Sequence, residues 1–174
     1  VPEAPGALEV TFNLFRIPDE KGFHVIGSDD YVHLQAKPVR AYGNNIKSLY
    51  GLKEVGDASV DGSELRIVYH GTLRLDQLMA LDITLHSLSF EKRAELVGVT
   101  ARDVPINLYV ADQEIPIEVA RLKSRNDYLL RTTEPLDNQR VYALTTNGLL
   151  NPIDDEAFQR IAPPLRLAFP VELR

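Results

Sequence analysis

The sequence predicts an all-β protein that folds as an antiparallel β-sandwich. Apolar and polar residues alternate along many short runs, which is the pattern of strands that bury one face. Turn-forming residues separate these runs roughly every ten residues, as is typical of sandwiches and barrels. Apart from a short helix predicted near residues 152–161, no apolar stripe of helical length interrupts the alternation. The segment 76–85 has a helical composition, but its own alternation favours a strand that follows a turn.

The first half of the chain contains four runs that we predict as strands. Pro38 interrupts the second run, so this strand is expected to bend or to lie at a sheet edge. In the fourth run the parity of the apolar residues changes near Ser87, which predicts a β-bulge. A loop rich in Gly, Asp and Ser precedes the third run. The four runs cover residues 8–15, 31–42, 64–75 and 80–90, and the loop covers 54–64.

The second half of the chain continues the same pattern with six further runs. Two polar segments between them, 111–114 and 123–127, have the composition of hairpin turns. The predicted strands cover residues 95–100, 106–111, 115–122, 128–132, 141–146 and 165–173.

The domain organisation has two interpretations. The charged segment 91–95 lies near the middle of the chain and is a candidate boundary. It would divide the protein into an N-terminal β lobe, 1–92, and an Ig-like β-sandwich lobe, 93–174. The alternative is one single larger sandwich over 7–174.

A leucine, an asparagine and a tyrosine stand at a characteristic spacing before the penultimate strand. Leu136, Asn138 and Tyr142 form the pattern L-x-N-x-x-x-Y. The pattern resembles the tyrosine corner of immunoglobulin-like and fibronectin type III sandwiches, where proline usually replaces this asparagine. The resemblance implies that Leu136 plugs the core and that the Tyr142 hydroxyl bonds an upstream backbone group. The chain has no tryptophan and no cysteine. The resemblance therefore implies an Ig-like sandwich and not membership of either family.

The connection between the last two predicted strands, 147–164, is long for a hairpin and has helical features. Asn151 can cap a helix whose first position is Pro152, and Pro163 and Pro164 end it. We expect about ten helical residues packed over the end of the sandwich. Loops at the end of such folds often carry recognition, although this one could simply close the open end. The candidate interaction surface is Asn147, Asn151, Asp154, Asp155, Phe158 and Arg160.

Composition excludes several classes of site. The chain contains no cysteine, so it has neither disulfides nor thiolate-bound zinc. A net charge of −6 without a basic run argues against a nucleic-acid partner. No stretch approaches the length of a membrane span. The proline-rich segment 1–10 is typical of a processed N-terminus, and the prediction is therefore an extracytoplasmic protein, periplasmic, lipid-anchored or secreted. An artificial boundary is the alternative.

No catalytic or cofactor motif is recognisable. The histidines lack the spacing of a metal site, and alternation predicts that His33 and His86 are exposed. A metal site that joins His33, His70 and His86 across strands is a rival hypothesis. The acidic loops do not match a calcium-binding loop. We therefore predict no cofactor.

A second rival function is carbohydrate binding. The segment 41–51 places two tyrosines and two asparagines close together, and exposed aromatic rings stack on sugars in many β-sandwiches. The candidate glycan contacts are Tyr42, Asn44, Asn45 and Tyr50. The expected function is a non-enzymatic structural or protein–protein interaction role, with the carbohydrate-binding module and the metal-dependent module as alternatives.

Overall fold

The structure is a computed structural model that describes residues 17–28, 30–43, 48–97, 102–122, 127–147, 149 and 155–174. The predicted strand 8–15 lies outside these residues. The described part is predominantly β, which confirms the predicted fold class. Its strands are β1 (Gly22–Ile26), β2 (Tyr31–His33), β3 (Lys37–Pro38), β4 (Arg40–Gly43), β5 (Ser48–Leu52), β6 (Ser59–Val60), β7 (Arg66–His70), β8 (Thr84–Val97), β9 (Arg102–Ile115), β10 (Ile117–Arg121), β11 (Tyr128–Thr132), β12 (Arg140–Thr145) and β13 (Leu167–Leu173).

The helical content of the described residues is small. Helix α1 (Leu75–Met79) lies between β7 and β8, and helix α2 (Asp155–Arg160) lies between β12 and β13. A 3-10 turn over Pro163–Leu165 follows α2. Neither helix has the length and apolar character needed to cross a bilayer.

The strands form two sheets that pack face to face. The five-stranded sheet has the order β10-β11-β7-β1-β2, and the eight-stranded sheet has the order β3-β13-β12-β8-β9-β5-β4. The short strand β6 completes the second sheet by pairing in parallel with β13, whereas the other pairs are antiparallel.

The central core lies between the inner faces of the two sheets. Alternate residues of each strand point into it, as the period of two requires. Phe23 and Ile67 come from the five-stranded sheet, and Leu85, Leu144 and Val171 come from the eight-stranded sheet. These side chains are at most 5% exposed.

Each sheet also carries apolar residues on its outer face. Behind the eight-stranded sheet, Ala143 and Leu88 cluster with Leu149 and Ile161 of the connection between β12 and β13. This connection therefore packs on an outer face of the sandwich, and not over its end as expected. Behind the five-stranded sheet, a separate cluster contains Ile26, Val68, Ala120, Leu122 and Leu129.

Several local predictions are confirmed. The hydrogen-bond register between β8 and β9 shifts between His86 and Leu88, where the bulge was expected. Ser87 is buried there, and its hydroxyl accepts a hydrogen bond from the Gln113 backbone N–H at 3.2 Å. Pro38 lies in an edge strand, as its missing N–H requires. Strands β11, β12 and β13 begin and end within two residues of the predicted limits.

Three local predictions are wrong. Residues 111–114 form no turn, because β9 continues through them in register with β8. The strand predicted over 64–75 ends at His70. The segment 76–85 begins with helix α1, in which Leu78 is buried and the Gln77 side chain accepts a hydrogen bond from the Arg74 backbone N–H at 2.9 Å. Capping and helix propensity outweigh the alternation over this single turn.

Each sheet contains strands from both halves of the chain. β7 pairs with β11, and β8 pairs with β12. The proposed boundary between residues 92 and 93 falls within β8. The domain division stays a prediction, and this pairing between the two halves favours the alternative of a single sandwich.

Candidate functional site

Tyr142 is the last residue of the pattern that resembles a tyrosine corner. Its side chain is 2% exposed, and its hydroxyl donates a hydrogen bond to the Asp137 carbonyl at 3.0 Å. Burial raises the pKa of the hydroxyl, and the hydrogen bond to Asp137 opposes this shift. Leu136 is buried in the same central cluster as Tyr142. The tyrosine therefore fills the core and also satisfies a backbone group of the crossing loop.

Asn138 links this loop to two other segments. Its side-chain amide donates to the Gly62 carbonyl at 2.7 Å and to the Arg174 carbonyl at 2.8 Å. The next residue, Gln139, has a φ of 59°, a conformation that favours glycine or asparagine. These contacts give the asparagine a role that proline, with no side-chain donor, cannot have.

The predicted interaction surface is only partly within the described residues. Asn151 and Asp154 lie outside them, and for Asp155 and Phe158 only the backbone, in α2, is described. Asn147 has a φ of 60°, and its backbone N–H donates to the Leu81 carbonyl at 2.7 Å. Arg160 is exposed and pairs with Glu156 at 2.8 Å within the helix.

The predicted glycan contacts are also divided. Asn44 and Asn45 lie outside the described residues, and Tyr42 is described only as backbone within β4. Tyr50 is half-buried against the outer-face cluster of the eight-stranded sheet. An exposed aromatic ring occurs on β8 instead: Phe90 is 51% exposed, and its ring centroid lies 4.8 Å from that of the half-buried Tyr109.

The structure places the three histidines of the metal hypothesis in different sheets. His33 and His70 belong to the five-stranded sheet, whereas His86 belongs to the eight-stranded sheet. Within the described residues, no three His, Asp or Glu side chains are arranged to hold a metal ion. The prediction that His86 is exposed is wrong, because its side chain is buried. His86 pairs with Ala143, which belongs to the apolar cluster on the outer face of the eight-stranded sheet, and alternation alone assumes that this face is solvated.

His24 is a buried histidine that sequence reasoning did not single out. Its Nε2 donates to the Glu20 carbonyl at 2.7 Å, and its ring lies 4.6 Å from that of His33. Burial lowers the pKa of His24, the hydrogen bond to Glu20 raises it, and the positive charges of His33 and His70 lower it further. His70 in turn donates from Nδ1 to the buried carboxylate of Asp127 at 2.7 Å.

A groove lies along the side of the sandwich, between helix α1, the ends of β8 and β9, and strand β10. Its volume is about 550 Å³. Its floor is aliphatic and continues into the central core. The floor residues are Leu78, Ile83, Ile115, Ile117 and Val119. Among the described strands, β10 is the edge of its sheet.

Two large apolar side chains of α1 line this groove and remain exposed. Leu75 is 43% exposed and Met79 is 56% exposed. They stand four residues apart and therefore share one face of the helix, and Leu78, which lines the same groove deeper down, is fully buried. The helical composition of 76–85 was the signal that could have located this site.

The rim of the groove is acidic. Asp82, Glu114 and Glu118 line it, and no Lys or Arg does so among the described residues. Glu118 pairs with Arg131 of the neighbouring strand at 2.5 Å. For Asp82 and Glu114, the described part of the chain provides no cationic partner.

Comparison with known proteins provides no relative: no protein-family model, no curated protein and no solved structure matches this chain. Fold alone does not determine function. The local geometry of the groove is therefore the feature of this chain that indicates a function.

Proposed function

We propose that this protein is a non-enzymatic protein-interaction module and that its partner binds the groove between α1 and β10. The observation that carries the proposal is the exposure of Leu75 and Met79 beside an aliphatic floor. Exposed apolar side chains are unremarkable when they are scattered singly, but contiguous ones mark interaction sites. Covering the exposed halves of these two side chains would contribute about 2–3 kcal/mol to binding.

The finer assignment, to an Ig-like module, follows from the tyrosine corner. The buried Tyr142, its hydrogen bond to Asp137 and the buried Leu136 support an Ig-like sandwich. Such domains commonly serve as adhesion or assembly modules on cell surfaces and in envelopes. The proposal includes an extracytoplasmic location, by analogy with these cell-surface modules. Fractionation of source cells tests this part, and a purely cytosolic pool would contradict it.

The experiment is a quantitative capture of partners with matched variants. The wild-type protein, the Leu75→Asp/Met79→Asp double variant and the Leu165→Asp control are immobilised and exposed to the same extract of the source organism. Leu165 is 55% exposed and lies in the 3-10 turn, away from the groove. A protein retained by the wild type and the control but lost from the double variant supports the proposal. Equal retention by all three overturns it.

Carbohydrate binding is a second candidate, and the pair of Phe90 and Tyr109 favours it over the tyrosines first suggested. Phe90 presents half of its surface to solvent, supported by the tilted ring of Tyr109. A glycan array probed with wild type and Phe90→Ala tests this alternative. Binding lost in Phe90→Ala but kept in the groove variant would assign the function to this aromatic pair.

A further inference from the structure

We propose that the groove binds an extended, alternating apolar and basic segment of the partner, which adds as a sixth strand to the free edge of β10. The inference deepens the proposed function and depends on it, because it states how the partner is recognised. Three independent features of the described residues lead to it: the backbone of β10, the side chains beside it and the charge of the rim.

The backbone of β10 has hydrogen-bonding groups available on one side. Leu122 N–H donates to the Asp127 carbonyl at 3.1 Å, and Thr133 N–H donates to the Pro116 carbonyl at 3.4 Å. The backbone N–H and C=O groups of the even-numbered residues of this strand therefore point towards β11. In an antiparallel ladder the alternate residues face the other way, so Ile117, Val119 and Arg121 present their N–H and C=O groups at the free edge. No described strand pairs with that edge.

The side chains beside this edge suit a second strand. The side chains of Ile117 and Val119 line the groove together with Leu75 and Met79. Every second side chain of an added strand would point into the groove and cover them, while the intervening ones would point outwards. The five residues of β10 extend about 17 Å. A segment of similar length can therefore satisfy the edge and fill the groove at once, which is the mode of recognition by strand addition.

The negative charge of the rim specifies the sign of the charge that the partner segment carries. Asp82 and Glu114 have no cationic neighbour among the described residues that line the groove. The whole chain carries a net charge of −6. Lysine or arginine between the apolar positions of the added strand would be attracted by this acidic rim, whereas acidic residues would be repelled.

The test uses defined peptides and amide hydrogen exchange in the full chain. The probe is an acetylated seven-residue peptide that alternates Lys with Val, and the control peptide replaces each Lys with Glu. The Lys peptide should slow exchange at Ile117, Val119 and Arg121 by about tenfold or more at saturation. The neighbouring Glu118 and Ala120 amides, already bonded to β11, serve as internal references.

A pair of variants separates backbone recognition from side-chain contact. Val119→Pro removes an N–H at the free edge without removing a bond to β11, and Val119→Ala removes the side chain but keeps that N–H. The Lys peptide should bind Val119→Pro about tenfold more weakly than Val119→Ala. A second pair of variants, Arg121→Pro and Arg121→Gln, gives the same comparison at a residue whose side chain does not line the groove. Thermal unfolding verifies that each variant is folded.

Each outcome decides the inference. Slowed exchange at the three edge amides with the Lys peptide, and not with the Glu peptide, supports it. Edge amides that are already protected in the free protein overturn it, because another part of the chain, residues 1–16 included, then occupies the edge. Equal binding to the proline and alanine variants, or equal binding of both peptides, also overturns it. The capture experiment separates this inference from the proposed function. If strand addition is overturned but the Leu75→Asp/Met79→Asp variant still fails to retain the captured partner, the proposed function stands without strand addition.

Discussion

Replacing Tyr142 with phenylalanine tests the tyrosine corner with the smallest chemical change. The variant keeps the buried ring and removes the hydroxyl, which donates to the Asp137 carbonyl at 3.0 Å. A typical intramolecular hydrogen bond contributes about 1 kcal/mol net to stability. The free energy of unfolding should fall by about this amount. With an m value of about 2 kcal/mol/M, the urea midpoint should fall by about 0.5 M.

The assay is equilibrium urea unfolding at neutral pH, followed by circular dichroism. Tyr128→Phe is the matched control, because Tyr128 is also buried but its hydroxyl has no hydrogen-bond partner among the described residues. We expect the control to change stability by less than about 0.5 kcal/mol. If both variants lose the same stability, or neither loses any, the Tyr142 hydroxyl does not anchor the loop and the reasoning is refuted.

Three further predictions concern the same core and its surroundings. Leu136→Ala should cost about 2–5 kcal/mol in the same assay because it leaves a cavity in the central core, and a loss below 1 kcal/mol would show that the leucine is not a core plug. Asn138→Ala should cost about 1–3 kcal/mol, since it removes hydrogen bonds to the Gly62 and Arg174 carbonyls; equal stability of Asn138→Ala and the parent would contradict this. The pKa of His24 is lowered in the folded protein from its ordinary value of 6.5. The unfolded chain therefore binds this proton more readily, so the stability that neutral His24 contributes is present above pH 6.5 and is lost as the pH falls below that value. His24→Gln should flatten the acid limb of the stability profile, and an unchanged acid limb would oppose this assignment.

Much of the fold follows from the period-two alternation of the sequence. It predicts β11, β12 and β13 closely, and the parity change at Ser87 predicts the bulge. These features are local, because a strand that buries one face must alternate wherever it lies in the sheet. The spacing of Leu136 and Tyr142 is equally local, since the loop and the strand it enters are adjacent in the chain.

Burial on the outer faces was not predictable from alternation. His24 and His86 are buried because other residues cover the backs of both sheets. Adjacent apolar residues, such as Ile67 with Val68 and Leu129 with Leu130, were the available signal, since a strand buried on both faces loses its alternation. Which segment covers a face is a question of tertiary structure, and a period in the sequence contains no information about it.

The groove was also missed, for a different reason. Its residues come from α1, β8, β9 and β10, which are distant in sequence and meet only because α1 connects the two sheets at the open side of the sandwich. The long pairing of β8 with β9 was hidden by polar residues at 111–114 that resemble a turn. Tertiary pairing overrides such local turn preference.

The central claim is that the partner covers the face of α1 that includes Met79. The chain contains a single methionine, so a protein labelled with carbon-13 at methionine methyl groups gives one assignable signal from the centre of the groove. Titration with the captured partner should shift or broaden this signal in the wild type and in Leu165→Asp. A saturated complex in which the Met79 signal is unchanged would contradict the account.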